Sequence, residues 1–184
     1  MRQTARPLTP DEITNPAFAQ LIEHMRDTMR DAPGVGLAAP QIGLGLQVAV
    51  IEDRPEYANG IAPEKLAERE RQPVEFLVLV NPKIVESSVE TAEFFEGCLS
   101  VAGFSALVKR AHRVVVEYLD ERAQAQRIEA SGWFARILQH EIDHLNGYLY
   151  IDRMEPRSFG TIDNLTRHWK DSPTAAVRKA LGCG

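Results

Sequence analysis

The chain has few cysteines, no long apolar run and no excess of positive charge, and each absence excludes a class of protein. Its two cysteines, Cys98 and Cys183, are too few for a disulfide-stabilised secreted scaffold. No apolar run is long enough to span a bilayer, and the N-terminus lacks the apolar stretch of a secretory signal, so we expect neither feature. The net charge of −5 argues against a broad electrostatic surface for nucleic acid.

The composition is that of an ordinary globular protein, with 44% hydrophobic and 26% charged residues. Periodicity and turn residues predict a helix from Asn15 and an apolar helix over 131–147. Between them we expect a polar surface segment over 52–75, followed by strands over 76–80 and 83–87 that Asn81 and Pro82 separate. No clear element is predicted after Pro156. We therefore predict an α+β fold in which residues 1–184 form one domain of antiparallel β-sheets around a central helix.

The strongest functional signal is the sequence His-Glu-Ile-Asp-His at 140–144, inside the predicted 131–147 helix. Two histidines at positions i and i+4 share one helix face and can bind a single metal ion. Glu141, beside the first histidine, can accept a proton from a water at that ion. A lone histidine on an apolar face is more often a hydrogen-bonded core residue, but the pair with this glutamate favours a metal-binding helix.

A catalytic metal site needs a third protein ligand, and the sequence offers several candidates. Metzincin endopeptidases place a histidine where this chain has Tyr150, which is a poor substitute. Thermolysin-like peptidases use a distant glutamate, whereas Glu155 follows closely and stands next to a proline. Cys98 remains, although a single free cysteine is more often a small buried hydrophobe. One thiolate with two imidazoles suits iron(II), zinc, cobalt or nickel.

Three motifs together resemble the peptide deformylase family. They are Gly-Val-Gly-Leu-Ala-Ala-Pro-Gln-Ile-Gly at 34–43, Glu-Gly-Cys-Leu-Ser at 96–100 and Gln-His-Glu-Ile-Asp-His-Leu-Asn-Gly at 139–147. The segments 100–104 and 131–133 resemble the mitochondrial-type branch of that family, which bacteria also carry. The resemblance implies removal of the formyl group from the N-terminal formyl-methionine of newly made polypeptides.

The resemblance also implies residue roles. The implied metal ligands are Cys98, His140 and His144, with Fe(II) ahead of zinc, nickel or cobalt. The implied general base and acid is Glu141, and the implied oxyanion donors are the Gln41 side-chain amide and the Leu99 backbone N–H. Glu96 and Arg110 match a charged pair that braces the metal loop in the family.

The methionine side chain of such a substrate needs an apolar pocket. Val35, Trp133 and Ile137 are candidate walls, with Arg136 at the edge, although an apolar helical stripe is more often core than pocket. The peptide backbone is expected to pair with the strand edge at Gly36.

The implied partners are N-formyl-methionyl nascent peptides, with a transient ribosome contact and with no membrane and no direct nucleic-acid site. The implied location is the bacterial cytoplasm, or an organelle for a mature organellar form. Relatives in that family usually begin with about a dozen further residues, which form a strand before the position that matches Arg2. We therefore expect either a truncated start or the loss of that strand in this branch.

Two alternatives remain. One is an endopeptidase with the same histidine motif, which would need a cleft open at both ends. The other is a non-catalytic metal-binding or interaction protein that keeps the fold, against which the presence of Glu141 and Gln41 argues.

Overall fold

The computed structural model describes residues 1–32, 34–170 and 172–183. The helices and strands, numbered in chain order, are α1 (Pro10–Ile13), α2 (Pro16–Asp31), β1 (Gly36–Ala38), β2 (Val48–Asp53), α3 (Pro63–Glu68), β3 (Val74–Ser87), β4 (Thr91–Gly97), β5 (Phe104–Ala111), β6 (Arg113–Leu119), β7 (Ala125–Ser131), α4 (Gly132–Leu145), β8 (Gly160–Thr161), α5 (Ile162–His168) and α6 (Thr174–Leu181). The α+β class predicted from the sequence is confirmed. Antiparallel pairing joins β1 to β2, β2 to β3, β3 to β6, β6 to β7 and β5 to β8.

Contacts within the chain define two compact units. The first comprises Met1–Glu90 and Ala111–Tyr148, and the second comprises Thr91–Arg110 and Leu149–Gly184. The first unit contains a five-stranded sheet in the order β1-β2-β3-β6-β7, and the second contains a three-stranded sheet in the order β4-β5-β8.

Strand β2 is buried at every position and contributes side chains to two cores of the first unit. Successive strand residues point to opposite faces of the sheet. Val48 and Val50 belong to the core cluster that also holds the apolar face of α2. Ala49 and Ile51 belong to a second cluster that holds the apolar side chains of α4. The sheet therefore lies between α2 and α4, and each fully buried large aliphatic side chain stabilises this arrangement by about 1.5–3 kcal/mol.

Helix α4 begins and ends close to the limits predicted from the sequence, 131 and 147. Gly147 has a φ of +82° and follows the last turn, as expected of a glycine that ends a helix. Ser131 stands at the N-cap position, but its side chain makes no capping bond. Its hydroxyl donates to Glu70 instead, at 3.1 Å from Oε2. Gln139 fixes the middle of the helix, because its amide donates to Ala111 O at 2.9 Å and accepts from Ala111 N at 3.1 Å.

Three expectations about the elements were wrong. The strands expected over 76–80 and 83–87 are one continuous strand, β3. Asn81 does not break it, because asparagine tolerates its φ of +52° and the ladder continues past an irregularity there. Glu52 and Asp53 belong to buried β2 and not to a polar surface segment. The region after Pro156 contains β8, α5 and α6, of which α5 is capped by the Thr161 side chain.

The second unit has its own small core, formed by Ala106, Val108 and Tyr150. Glu96 and Arg110 form a bidentate ion pair with N–O distances of 2.8 and 2.9 Å. Both side chains are almost completely buried, so the predicted charged pair is present in the structure.

Among the described residues, none of the helices combines the length and the apolar character needed to cross a bilayer.

Candidate metal centre

The three side chains predicted as metal ligands lie together in the structure. The ligand atoms of Cys98, His140 and His144 are all within 4.8 Å of one another. His144 is buried, whereas Cys98 and His140 are half-buried. A thiolate and two imidazoles bind first-row divalent metals with bonds of about 2.0–2.3 Å. Donors at this spacing fit a single ion after small side-chain movements, so the residues present are compatible with a bound metal.

Helix α4 presents both histidines on one face. The His140 and His144 rings are perpendicular, with 4.7 Å between their centroids. His144 Nδ1 lies 3.2 Å from the Tyr148 carbonyl oxygen. Because a carbonyl oxygen only accepts, Nδ1 carries the proton, and Nε2 is left as the ligand atom. A bond of this kind sets both the tautomer and the ring orientation of a metal-binding histidine.

Cys98 precedes a 3-10 turn, Leu99–Val101, and takes the N-cap position of that turn. The Ser100 N–H donates to Cys98 Sγ at 3.4 Å. An N–H directed at sulfur stabilises negative charge there, and the thiolate is the form of cysteine that binds metal. The local backbone therefore prepares Cys98 for ligation.

Glu141 follows His140 in α4, and its carboxylate lies against strand β1. The residue is 3% exposed. A Cβ atom placed on Gly36 would lie 2.3 Å from Glu141 Oε1 and 2.6 Å from its Cδ. Only glycine leaves room for the carboxylate at this contact. The packing of α4 on β1 thus holds Glu141 in one place, next to a histidine of the ligand cluster.

The two residues implied as oxyanion donors both occupy 3-10 turns. Gln41 lies in the turn Ala39–Ile42, and its Oε1 accepts from the Ala38 N–H at 2.8 Å. This bond orients the amide, whose NH2 group supplies two donors. Leu99 begins the turn after Cys98, with its side chain 49% exposed.

The candidate pocket residues group around one core cluster of the first unit. Ile137 is a buried member of that cluster, and Val35 and Trp133 are half-buried against it. Gly36 is the first residue of β1, which is an edge strand of the five-stranded sheet. Arg136, expected at a pocket edge, is 4% exposed.

Sequence patterns did not reveal the groups that hold the side chains of Trp133, Cys98 and His144 in place. Asp53 Oδ2 accepts from Trp133 Nε1 at 2.9 Å, and Arg71 donates to both Asp53 oxygens at 2.8 Å. The Ser100 N–H and the Tyr148 carbonyl are backbone groups, which no residue pattern identifies.

Tyr150, which stands where metzincins have their third histidine ligand, packs in the same cluster as Cys98. It is 1% exposed. Burial raises the pKa of Tyr150 to about 12, and the charges of Cys98 and Glu96 add to the effect. Within the described part of the chain, its buried hydroxyl has no hydrogen-bond partner. The phenol is therefore held in its neutral form.

Comparison with known proteins places these features in a family context. The family model described as polypeptide deformylase matches residues 1–159. Peptide deformylase 1A, chloroplastic/mitochondrial, from Arabidopsis thaliana is 48% identical over 182 residues, covering 99% of this chain and 66% of the plant protein. The chloroplastic peptide deformylase 1A of Solanum lycopersicum is 46% identical over 182 residues, covering 99% and 64%. The chain thus spans slightly less than two thirds of the length of these plant relatives.

Solved structures show the same similarity. The Met-Ala-Ser-bound class I type b peptide deformylase from Acinetobacter baumannii has a TM-score of 0.74 and 35% identity, covering 83% of this chain and 91% of that one. The actinonin complex of a peptide deformylase from Synechococcus elongatus has a TM-score of 0.70 and 40% identity, covering 85% and 76%. The resemblance predicted from the three motifs is confirmed.

Proposed function

This chain belongs to the polypeptide deformylase family, and we propose that it removes the N-formyl group from the N-terminal formyl-methionine of newly made polypeptides. In this proposal residues 1–184 act as one catalytic domain. The observation that carries it is the buried Glu141 carboxylate held against Gly36, in the helix that supplies His140 and His144 to the ligand cluster. The related Acinetobacter structure contains Met-Ala-Ser, which is a deformylated peptide.

The ligand cluster and Glu141 divide the chemistry between them. Cys98, His140 and His144 would hold one metal ion, which supplies a Lewis acid for the formyl carbonyl and lowers the pKa of a water. Glu141 accepts the proton of the attacking water and later delivers a proton to the leaving amine nitrogen.

Gln41 and Leu99 would stabilise the charge that develops on the formyl oxygen. The Gln41 NH2 group and the Leu99 backbone N–H donate hydrogen bonds to it, and such pre-oriented donors act most strongly where water is excluded. The contact from Ala38 to Gln41 Oε1 supports this role, since it fixes which end of the amide donates.

Substrate recognition would use one wall of the first unit. Val35, Trp133 and Ile137 surround the methionine side chain, with Arg136 next to them. The peptide backbone pairs with the free edge of β1 at Gly36, since an extended peptide can add a strand to a sheet edge. The edge position of β1 in its sheet supports this pairing.

Metal binding is tested by removing one ligand. We expect His144→Ala to lose most of its bound metal, because two remaining ligands leave the ion more open and less tightly held. Metal analysis after anaerobic purification measures this. A folded variant that retains full metal occupancy would remove His144 from the ligand set.

For the native metal we propose Fe(II), with zinc, nickel or cobalt able to replace it, because one thiolate and two imidazoles do not select a single ion. Anaerobically loaded iron enzyme is expected to exceed the zinc form in kcat/KM and to lose activity in air. Equal activity of the two forms would contradict the proposal of iron.

Substrate choice separates a deformylase from an endopeptidase. The segment 34–43 is rich in small residues around Gln41, of which Ala38 and Ala39 are fully buried. We propose that this segment admits a formyl hydrogen but not a methyl group. Rapid hydrolysis of formyl-Met-Ala-Ser and very slow hydrolysis of acetyl-Met-Ala-Ser are expected. Cleavage of casein at a rate comparable to deformylation would favour the endopeptidase alternative, and no hydrolysis of any of the three would favour a non-catalytic protein.

The proposed partners are formylated nascent chains, so the enzyme would contact the ribosome transiently in a bacterial cytoplasm or an organelle. The proposal includes no membrane partner and no nucleic-acid site of its own. Co-sedimentation with ribosomes that carry formylated nascent chains, compared with ribosomes without them, tests this contact.

A further inference from the structure

The end of strand β2 carries two adjacent carboxylates, and each is held by a bidentate arginine. Glu52 accepts from Arg30 Nε and Nη2, both at 2.7 Å. Asp53 accepts from Arg71 Nε and Nη2, both at 2.8 Å. Because neighbouring strand residues point to opposite faces, the two pairs join β2 to different elements. Glu52 is tied to α2, and Asp53 is tied to the β2–β3 segment, residues 54–73.

Asp53 has a second donor, the indole N–H of Trp133, at 2.9 Å. The same indole ring lies under two guanidinium groups. The central carbon of Arg71 is 5.0 Å from the ring centroid, and that of Arg69 is 5.5 Å away. Trp133 is thus held at its polar edge by Asp53 and on its face by cations, which restricts both ring rotation and ring tilt.

The β2–β3 segment is also fixed to the first turn of α4, next to Trp133. Glu70 accepts from Ser131 Oγ at 3.1 Å and from His112 Nε2 at 2.8 Å. A Cβ atom on Gly132 would lie 2.6 Å from Glu70 Cβ and 2.8 Å from Arg69 O. The segment and the start of the helix are therefore packed as one body around the indole.

We propose that Asp53, Arg71 and Trp133 form an orientation latch, in which Asp53 and Arg71 are positioning residues that set the angle of the indole and so select the first side chain of the substrate. This inference rests on the proposed function, in which Trp133 and Val35 wall the methionine pocket. Val35 is tied to the same strand end, because its carbonyl accepts from the Glu52 N–H at 3.1 Å. The end of β2 thereby positions both walls.

A purely structural role for the cluster would not require its charges. Asp53 is 2% exposed, and a buried ion pair is often no more stabilising than apolar residues of similar volume. Bidentate arginine pairs do restrict geometry strongly. The arrangement is therefore suited to fixing an orientation, and its effect should appear in selectivity more than in stability.

Three conservative substitutions each remove one contact of the latch. Asp53→Asn keeps an acceptor for the indole N–H but removes the carboxylate that pairs with arginine. Arg71→Met removes the cation and keeps an apolar side chain of similar length. Trp133→Phe keeps an aromatic wall and removes the N–H donor. Arg127→Met is the matched control, since Arg127 is 57% exposed and makes only surface pairs with Glu86 and Glu117 among the contacts of the described residues.

The primary measurement is kcat and KM for formyl-Met-Ala-Ser and for the same peptide with leucine or phenylalanine first. We expect each latch variant to lose about tenfold in its preference for methionine, since a misfit of about one methylene in an apolar pocket changes selectivity by about 10–200-fold. For Asp53→Asn and Arg71→Met the loss should lie in KM for the methionine peptide, with kcat and metal content unchanged. The Arg127→Met control should keep the parent preference.

A binding measurement separates the latch from the proposed function. The chain has two tryptophans, so in a Trp169→Phe background the emission reports Trp133 alone. Added Met-Ala-Ser is expected to shift this emission, with about tenfold weaker binding when Asp53→Asn is also present. Folded latch variants with unchanged selectivity and unchanged peptide titration would overturn the latch while leaving deformylation intact. If the parent chain hydrolysed no formyl peptide, the proposed function would be wrong. If added Met-Ala-Ser then also left the Trp133 emission unshifted, the latch would be wrong as well.

Discussion

At the scale of single residues, the position of Glu141 depends on the absence of a side chain at residue 36. In Gly36→Ala the new methyl carbon would start 2.3 Å from Glu141 Oε1, so the carboxylate must move. We expect turnover to fall by about 10²–10⁴-fold, the usual contribution of a positioned general base, while metal content and folding are kept. Steady-state kinetics and metal analysis measure the two effects.

Gly45→Ala is the matched control for this substitution, since a Cβ atom there meets nothing within 4 Å. It should behave like the parent chain. Adding Gly36→Ala to Glu141→Gln should cause little further loss, because both changes disable the same carboxylate and effects within one unit are not additive. A normal rate for Gly36→Ala would show that Glu141 has more room than the structure indicates.

The buried hydroxyl of Tyr150 lowers the stability of the fold. Its hydroxyl is buried without a partner among the described residues, and such a group lowers stability by about 1–3 kcal/mol. Tyr150→Phe keeps the packing of the ring and removes that oxygen. We therefore expect the free energy of unfolding of the metal-free protein, measured in urea, to rise by about 1 kcal/mol.

Tyr118→Phe is the comparison for this prediction, since the Tyr118 hydroxyl is not among the buried polar atoms that lack a partner. It should give no such gain. A loss of stability in Tyr150→Phe would mean that its hydroxyl has an acceptor, such as an ordered water.

At the scale of elements, the start of α4 depends on Gly132. Its φ is +54°, and a Cβ atom would lie 2.8 Å from the backbone oxygen of Arg69. Backbone cannot move aside as a flexible side chain can. We expect Gly132→Ala to lower the free energy of unfolding by about 1–3 kcal/mol, through backbone strain and this contact together. Urea unfolding monitored by circular dichroism measures the change.

Gly60→Ala separates the two causes. Gly60 has a φ of +80°, but a Cβ atom there meets nothing within 4 Å. Its substitution should show only the cost of the left-handed backbone, which is about 1 kcal/mol. Equal losses in the two variants would mean that the contact between Gly132 and the β2–β3 segment is loose.

The elements that follow from sequence alone are those with long regular patterns. The 131–147 prediction matches α4 closely, because apolar periodicity and a terminal glycine are both local signals. Strand β3 was divided in error because Asn81 and Pro82 are ordinary turn residues. What keeps the strand continuous is distant in sequence, since the Asn81 side chain pairs with the backbone of Leu8 at 2.8 and 2.9 Å.

The candidate site, too, could be predicted from the sequence only in part. The donors Cys98, His140 and His144 lie in motifs, so spacing alone indicates them, and the structure brings them together. Their supports do not lie in motifs. Asp53 contacts Trp133 across a separation of 80 residues, and only the packing of β2 against α4 creates that contact.

At the scale of the whole molecule, ionisable groups limit stability at both ends of the pH range. The hydrogen bond from Arg6 lowers the pKa of Glu12 from 4.5 to about 2, and that from Arg30 lowers the pKa of Glu52. A carboxylate with a lowered folded-state pKa stabilises the fold above its unfolded pKa, and this contribution is lost as pH falls. Burial acts oppositely on Tyr150, whose pKa of about 12 lies above the ordinary value of 10.0.

We therefore expect the free energy of unfolding of the metal-free protein to fall at both ends of the pH range. It should fall below pH 4.5 as the unfolded chain binds protons that folded Glu12 and Glu52 resist, the Glu12 contribution ending near pH 2. Above pH 10 the unfolded chain loses a tyrosine proton that folded Tyr150 keeps until about pH 12. Stability must fall across that interval.

Urea unfolding at stepped pH measures both the acid loss and the alkaline loss of stability. Glu12→Gln should reduce only the loss of stability in acid, and Tyr150→Phe should reduce only the loss in alkali. If either variant left the corresponding loss of stability unchanged, that loss would come from other ionisable groups.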